Sequence, residues 1–414
     1  MTRLRKNSFS IVSWFLALLF FAPFLIYPMY RVLSGALIEN GVFHPALLLL
    51  PWQDFTSRNG FYNALMVALL ATLFASVLAL PPAFITARFR FRGKEILTAL
   101  LLIPLLLPPF VGAIGLRQML AREGVVNLLL MRWHILHTPF DFLQMQLPMV
   151  ILVMGLQLYP LIYLNVAAAW ANVDTSLEEA AENLGAGGWR IFRSITLPLL
   201  WPGYVAGALI VFIFAFTDLG TPLIFNYRAI TAVQIFNASS DVTNPMGFVL
   251  AFWLTVLAAG VFSLSRKTLS SAAAGRLATV SRGSRRSRET NATLWQLPLV
   301  YGVLGIVIFL SVLPHIGVIL GSFAHDWTNR LWPQWTLENY GSLIHDPSGL
   351  AASSIKVSLI CALASMVVDV IGGAALAYAV VRGKVWAASV LDTLAMIPLA
   401  LPGLILAFGL LVGF

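Results

Sequence analysis

The stretch EEAAENLGAGGWRIFRSITLP, residues 178–198, separates two long apolar runs. Thr175 to Glu178 (TSLE) fits a capping box, so a helix is predicted to begin there. Leu177, Ala180, Ala181 and Leu184 recur at the spacing of one helical face. The alanines keep that face low enough for another backbone to come close, and Glu178, Glu179 and Glu182 occupy the remaining surface. Gly185 suits a left-handed cap, and Gly187–Gly188 a sharp turn. A second short helix is predicted from about Trp189 to Thr196, showing Trp189, Phe192 and Ile195 and stopped by Pro198. Helices this short are marginal alone in water, where about 12–15 residues are needed. Their apolar faces must dock, either on the chain's own helix ends or in a cleft on a soluble partner.

The surrounding sequence belongs in a bilayer. Of its 414 residues, 59% are hydrophobic and 10% charged, against about 25% charged in soluble domains. A span needs about 20 mostly apolar residues. Nine candidates occur, near 11–33, 62–86, 96–116, 147–170, 204–226, 246–265, 298–321, 354–380 and 390–413. All are expected to be helical, because lipid offers backbone groups no hydrogen-bond partner. Pro28, Pro104, Pro160, Pro222, Pro314 and Pro398 are expected to kink helices or mark their ends. The apolar run from Phe9 to Met29 exceeds the 7–15 residues of a signal peptide and reads as an uncleaved first span.

The net charge is +9, and eighteen of the 26 lysines and arginines fall in segments 1–10, 87–95, 171–203, 266–293 and 381–389. Alternate loops thus hold the basic charge, which predicts a cytoplasmic N-terminus; Arg117, Arg122 and Arg132 run against that bias. The same distribution argues against a nucleic-acid partner. Cys361 is the single cysteine, which excludes an internal disulfide or thiolate cluster, and it is expected to be inert packing. His44, His134, His137, His315, His325 and His345 all fall at or near the outer side on this topology. They read as scattered solvated histidines, and no metal site is expected.

The chain also resembles itself. An apolar span, RGK at 92–94 and IPLLLPPFVG at 103–112 are followed by a second such series, with RGK at 382–384 and IPLALPGLIL at 397–406. The offset is 290 at the glycine-lysine pair and 294 at the first proline. The reading is two homologous halves in parallel orientation: residues 1–265 with six spans, a Ser-, Ala-, Gly- and Arg-rich cytoplasmic connector at 266–293, and 294–414 as the start of a second, incomplete half with three spans.

Glu179-Ala180-Ala181, then Gly185, Ile195, Leu197 and Pro198, resemble the EAA loop of ABC importer permeases, whose pattern is E-A-A, three residues, G, nine residues, I-x-L-P. The spacing matches without a gap. The resemblance implies the all-α type I importer transmembrane fold, in a multi-pass protein of the bacterial inner membrane. It implies that the loop seats in an ABC ATPase subunit, expected as a homodimer, and that a periplasmic binding protein delivers the solute. No G-x-x-x-x-G-K-[ST] phosphate loop is present. The chain is therefore expected to be no enzyme and to bind no cofactor itself, ATP being used by the partner.

Asp218 lies in span five, in FTDLGTPLIF at 216–225. An acid within a span is a functional candidate by default, and Gly220 and Pro222 can interrupt the helix beside it. Asp218, Gly220, Thr221 and Pro222 are candidate pathway residues; the alternative is a carboxylate satisfied locally by Thr217 or Thr221, or placed near the outer interface. Asp369 is expected to pack between helices. Fusion of two permease halves resembles the ferric-iron permeases, and also thiamine and aminoethylphosphonate relatives, with D-x-G-T-P most like the iron group. An ion-coupled secondary transporter is the other mechanism, in which Asp218 and Asp369 would be coupling sites.

Overall fold

A computed structural model describes residues 15, 17, 19–39, 41–241, 244–276, 289–382 and 388–414. Among the described residues, six helices are long and apolar enough to cross a membrane: Phe55–Arg88, Gln146–Ala171, Gly188–Thr217, Pro245–Leu264, Leu297–Ser322 and Leu350–Val381. Of the other three expected spans, the first is described only in part and the other two are broken. The described part of the first, Leu19–Gly35, is apolar and helical; its Ala22–Ile26 turn is π-helical, with Pro28 just after it. The third expected span divides into Lys94–Leu101, Ile103–Leu106 and Pro109–Leu120. The ninth divides into Ala388–Ala400 and Gly403–Gly413.

The two divided spans break at equivalent places. Leu107 is extended ahead of Pro108, as a residue before proline prefers, and Leu401–Pro402 interrupts the later span at the matching position. The carbonyls freed in the first break find partners on the 146–171 helix. Gln157 Nε2 donates to the Pro104 and Leu107 oxygens, and the Tyr159 hydroxyl donates to the Leu101 oxygen at 2.7 Å. A broken helix persists in an apolar medium when neighbouring side chains satisfy its backbone in this way.

The centre of the bundle is built on small residues. Ala64, Ala68, Ala71, Ala75, Ala79 and Ala83 form a fully buried stripe on the 55–88 helix, facing the 146–171 and 188–217 helices. Gly203 lies against Ala169 and the Asn165 backbone, and Gly207 against the Ile162 backbone. Helices in lipid gain little from burying apolar surface, so such close contact supplies the attraction. The 297–322 helix uses the same device on the 109–120 helix, with Gly115 against Pro314 and Gly317 against Met119. Pro160 and Pro314 lie inside continuous helices.

Contacts sort the loops into two ends. Arg88 pairs with Glu178, and Arg90 and Lys94 pair with Glu289, which gathers 88–94, the 172–188 loop and 289–293. At the other end Arg117 donates to the Ile224 oxygen, and the Asn329 amide to the Glu123 oxygen.

Several expectations are corrected. Within the connector 266–293 the Pro245 helix continues to Arg276, because an alanine-rich polar segment keeps helix propensity without any hydrophobic period. Near its end, Thr290–Asn291 pair in parallel with Phe89–Arg90. Residues 277–288 of the connector, segment 1–10 and Gly383–Lys384 of the second RGK lie outside the described residues. His315 is not solvated. It is 4% exposed between helices; its Nδ1 meets the Ser311 oxygen at 3.2 Å, and its Nε2 has no hydrogen-bond partner among the described residues. Cys361 is exposed rather than packed. Asp369 is exposed on the same helix and accepts from Ser365, one turn away at 3.1 Å. The most apolar window of that 350–381 helix buries none of its residues.

Candidate functional site

The 172–188 loop begins with the helix Thr175–Asn183. Its cap is Asp174, one residue ahead of the predicted Thr175, and the Asp174 carboxylate accepts from the Ser176 amide at 3.0 Å. A charged acceptor beside the positive end of the helix outcompetes a hydroxyl. Glu178 is therefore released from the capping box and is not on the surface. It is 7% exposed, and its Oε1 accepts from Arg88 Nη2 and from Thr196 Oγ1, each at 2.6 Å. Arg88 in turn lies over the Trp170 ring, 5.9 Å from its centre.

The helix ends as predicted. Gly185 has φ +81°; its amide donates to the Glu182 oxygen at 2.9 Å, and the Ala186 amide to the Ala181 oxygen at 3.0 Å. This is the paired closure of a Schellman motif, whose left-handed residue is normally glycine. Gly187 is extended and Gly188 starts the next helix, so the second turn needs no positive φ.

Pro198 does not stop that next helix. Gly188–Ile191 passes through a π-helical turn, Phe192–Thr196, into Leu197–Thr217 as one helical run. The missing N–H of Pro198 falls where the hydrogen-bond register has already shifted, so the ladder resumes beyond it. Ile195 and Pro198 are half-buried in this run, and Leu197 is exposed.

The outer side of the loop is apolar and bare. Leu184 is 89% and Trp189 74% exposed; Leu177 and Ala180 are exposed, while Glu179 and Ala181 are half-exposed. Trp189 stacks on Phe192 with ring centres 5.7 Å apart. Beside the loop opens a cavity of about 1030 Å³, lined among others by Phe84, Arg88, Trp170, Glu178, Trp189 and Trp201.

At the far end of the same run, Asp218 is extended and breaks the helix. Its Oδ2 accepts from the Thr221 amide at 2.8 Å, so the carboxylate heads the short helix Gly220–Ile224. Thr221 and Pro222 are buried, and the Thr221 hydroxyl has no partner among the described residues. A β-carbon on Gly220 would lie 3.2 Å from Phe110. The interruption of span five therefore faces the segment that follows the interruption of span three. Asp218, Gly220, Thr221 and Pro222 come together here, and none of them approaches the 178–198 loop.

Arg88 and Thr196 were not singled out from the sequence. The signal available for Arg88 was a basic residue at the end of one span and an acidic run two spans later.

The family described as "Binding-protein-dependent transport system inner membrane component" matches residues 79–279. The molybdenum transport system permease protein ModB of Haemophilus influenzae is 33% identical over 162 residues, 39% of this chain and 69% of that protein. The ferric transport system permease protein FbpB of Actinobacillus pleuropneumoniae is 24% identical over 411 residues, 96% of this chain; the match spans 57% of that protein's length. Among solved structures, a chain of a bacterial ABC transporter involved in the import of the acidic polysaccharide alginate superimposes with a TM-score of 0.54 at 16% identity, covering 65% of this chain and 98% of that one. That likeness establishes the fold as the all-α ABC importer transmembrane fold.

Proposed function

This chain belongs to the family of binding-protein-dependent transport system inner membrane components, and from that premise we propose that its 172–188 loop seats on the ATPase subunit of an ABC importer. The family consists of permease components that are not themselves enzymes. The chain would be the multi-pass inner-membrane part, with ATP hydrolysed by partner subunits and solute delivered by a periplasmic binding protein. One observation carries the reading. Leu177, Ala180, Leu184 and Trp189 form an apolar face that the chain itself leaves bare, on a loop whose opposite side is held by Glu178.

The cargo we propose is ferric iron, because the ferric relative aligns over 96% of the chain and the molybdenum relative over 39%. Asp218 and its neighbours at the paired helix interruptions are the proposed pathway residues. Leu184→Cys, in a Cys361→Ser background, tests the loop. It should cross-link to the co-expressed ATPase and be shielded from a water-soluble thiol reagent when the ATPase is present. Equal labelling with and without the ATPase would refute the docking assignment. Uptake of labelled iron rather than labelled molybdate by the assembled importer tests the cargo.

A further inference from the structure

The Thr175–Asn183 helix has two buried residues, Thr175 and Glu178. Force applied to its outer face must reach the bundle largely through them. Thr175 is the first residue of the helix and short. Glu178 is long, buried and central, and its one oxygen Oε1 receives both Arg88 and Thr196 at 2.6 Å. Arg88 ends the 55–88 helix. Thr196 lies in the π-helical turn of the 188–217 run. Trp170, under the guanidinium, is at the end of the 146–171 helix. One carboxylate thus joins the loop to the end of the 55–88 helix and to the π-helical turn of the 188–217 run, and through Arg88 to the end of the 146–171 helix. The Arg88 carbonyl also accepts from the Thr290 hydroxyl at 3.3 Å, so the segment leading into the 297–322 helix rests on the same residue.

We infer that the Arg88–Glu178 pair is a strut: two positioning residues that carry displacement of the loop into the spans, and not part of the surface on which the ATPase sits. The inference rests on the docking role proposed above for the outer face. Its physical basis is the asymmetry of buried ion pairs. A pair in water-accessible surroundings is soft, because water and salt screen it. Glu178 is nearly closed off, its side chain 9% exposed against 26% for Arg88. Removing one partner there leaves an uncompensated charge in a poorly solvated place. The loop therefore cannot move away from the spans without breaking the pair, and it moves with them.

The test uses the assembled importer in proteoliposomes, with Leu223→Cys near the Asp218 break as a reporter in the Cys361→Ser background. Thiol-labelling rate is measured with and without ATP, and ATPase retention is measured on the tagged chain. In Arg88→Gln and in Glu178→Gln the ATPase should stay bound. The ATP-dependent change in labelling should shrink about tenfold, the factor produced by 1.4 kcal/mol of lost coupling. The exchanged pair, Arg88→Glu with Glu178→Arg, and the conservative Arg88→Lys should each recover most of that change. Singles that keep the full ATP-dependent change would overturn the strut. So would singles that lose it when neither the exchange nor Arg88→Lys restores it, since the residues would then matter for folding alone. Loss of ATPase retention in both singles would place the pair in the docking surface and overturn it too. The docking role has its own check, the Leu184→Cys cross-link, which can fail while the strut variants behave as described.

Discussion

Gly115 and Pro314 meet so closely that a β-carbon built on Gly115 would run into the Pro314 carbonyl oxygen. The contact joins the third and seventh expected spans, and Gly317, one turn on, lies against the Gly115 oxygen and Met119 in the same way. No side chain can be inserted there without parting the two helices. Gly115→Ala is expected to cost about 1–3 kcal/mol as an overpacking change and to lower the thermal midpoint in detergent. Gly305→Ala, on the same 297–322 helix but with nothing within 4 Å of the new carbon, should leave the midpoint unchanged or raise it. Equal midpoints for the two variants would show that the 109–120 and 297–322 helices do not depend on this approach.

Gly185 isolates backbone conformation from packing. Its φ is +81° and a β-carbon there would touch nothing. Gly185→Val should cost about 1–3 kcal/mol of local strain and weaken ATPase retention while membrane insertion stays normal. Gly185→Asn, which tolerates the left-handed region, should retain most binding. Co-purification of the ATPase with each variant is the measurement, and Asn performing as badly as Val would contradict the conformational account.

Asp218 offers a separation of charge from capping. Asp218→Asn keeps an oxygen for the Thr221 amide, so stability should change by less than about 0.5 kcal/mol. Uptake should fall if the carboxylate serves the pathway. Asp218→Ala removes the acceptor as well and should cost about 1 kcal/mol more. Initial uptake rates and thermal midpoints together decide it; normal uptake by the Asn variant would leave Asp218 a helix cap and nothing else.

Reporter fusions test the two ends of the bundle. Insertions in 89–93 and 184–187 should report cytoplasm, and those in 226–230 and 326–335 periplasm, following the excess of basic residues in the first set of loops. A periplasmic signal from 184–187 would put the loop out of reach of any ATPase.

Glu289 gives a pH dependence. Burial pushes its carboxyl up, but the hydrogen bonds and charges of Arg90 and Lys94 outweigh this and hold it below the ordinary 4.5. A carboxyl lowered in the folded state contributes stability above its unfolded value and loses it as pH falls through the folded value. The Ala292 amide, bonded to the Arg90 oxygen at 3.0 Å, reports the tie. Glu289→Gln should speed exchange at Ala292 by up to about fivefold at pH 7, since such exposed pairs contribute about 0–1 kcal/mol. The difference from the parent protein should vanish in acid below the folded value; a constant difference across that range would show that the charge is not involved.

What the sequence disclosed was mostly local. Gly185 could be assigned because a helix of that length must end and glycine is the residue that ends it cheaply. The I-P-L-x-L-P segments could be matched because proline before or after an extended residue breaks a helix wherever it occurs. The pairing of Arg88 with Glu178 crosses 90 positions of sequence, and no periodicity marks it. Basic residues at the end of a span have a sufficient explanation in membrane orientation, which hid the second role. Capping failed by one residue because Asp174 and Thr175 are both good caps and only geometry chooses between them. His315 reads as solvated from its position near the end of a span, whereas its burial depends on a neighbouring helix far away in sequence.

The absence of a stop at Pro198 has a mechanical consequence. From Gly188 to Thr217 the backbone is a single helical run of 30 residues, about 45 Å long. It is gripped near its middle, where Gly203 and Gly207 press against the 146–171 helix. That grip is a fulcrum. The arm out to Trp189 is about 24 Å and the arm to Thr217 about 18 Å. A sideways swing imposed on Trp189 therefore arrives at Thr217 reversed in direction and reduced to about three quarters. Beyond the grip the extended residue Asp218 is the first break in the run, so a swing of this lever ends at the interruption of span five.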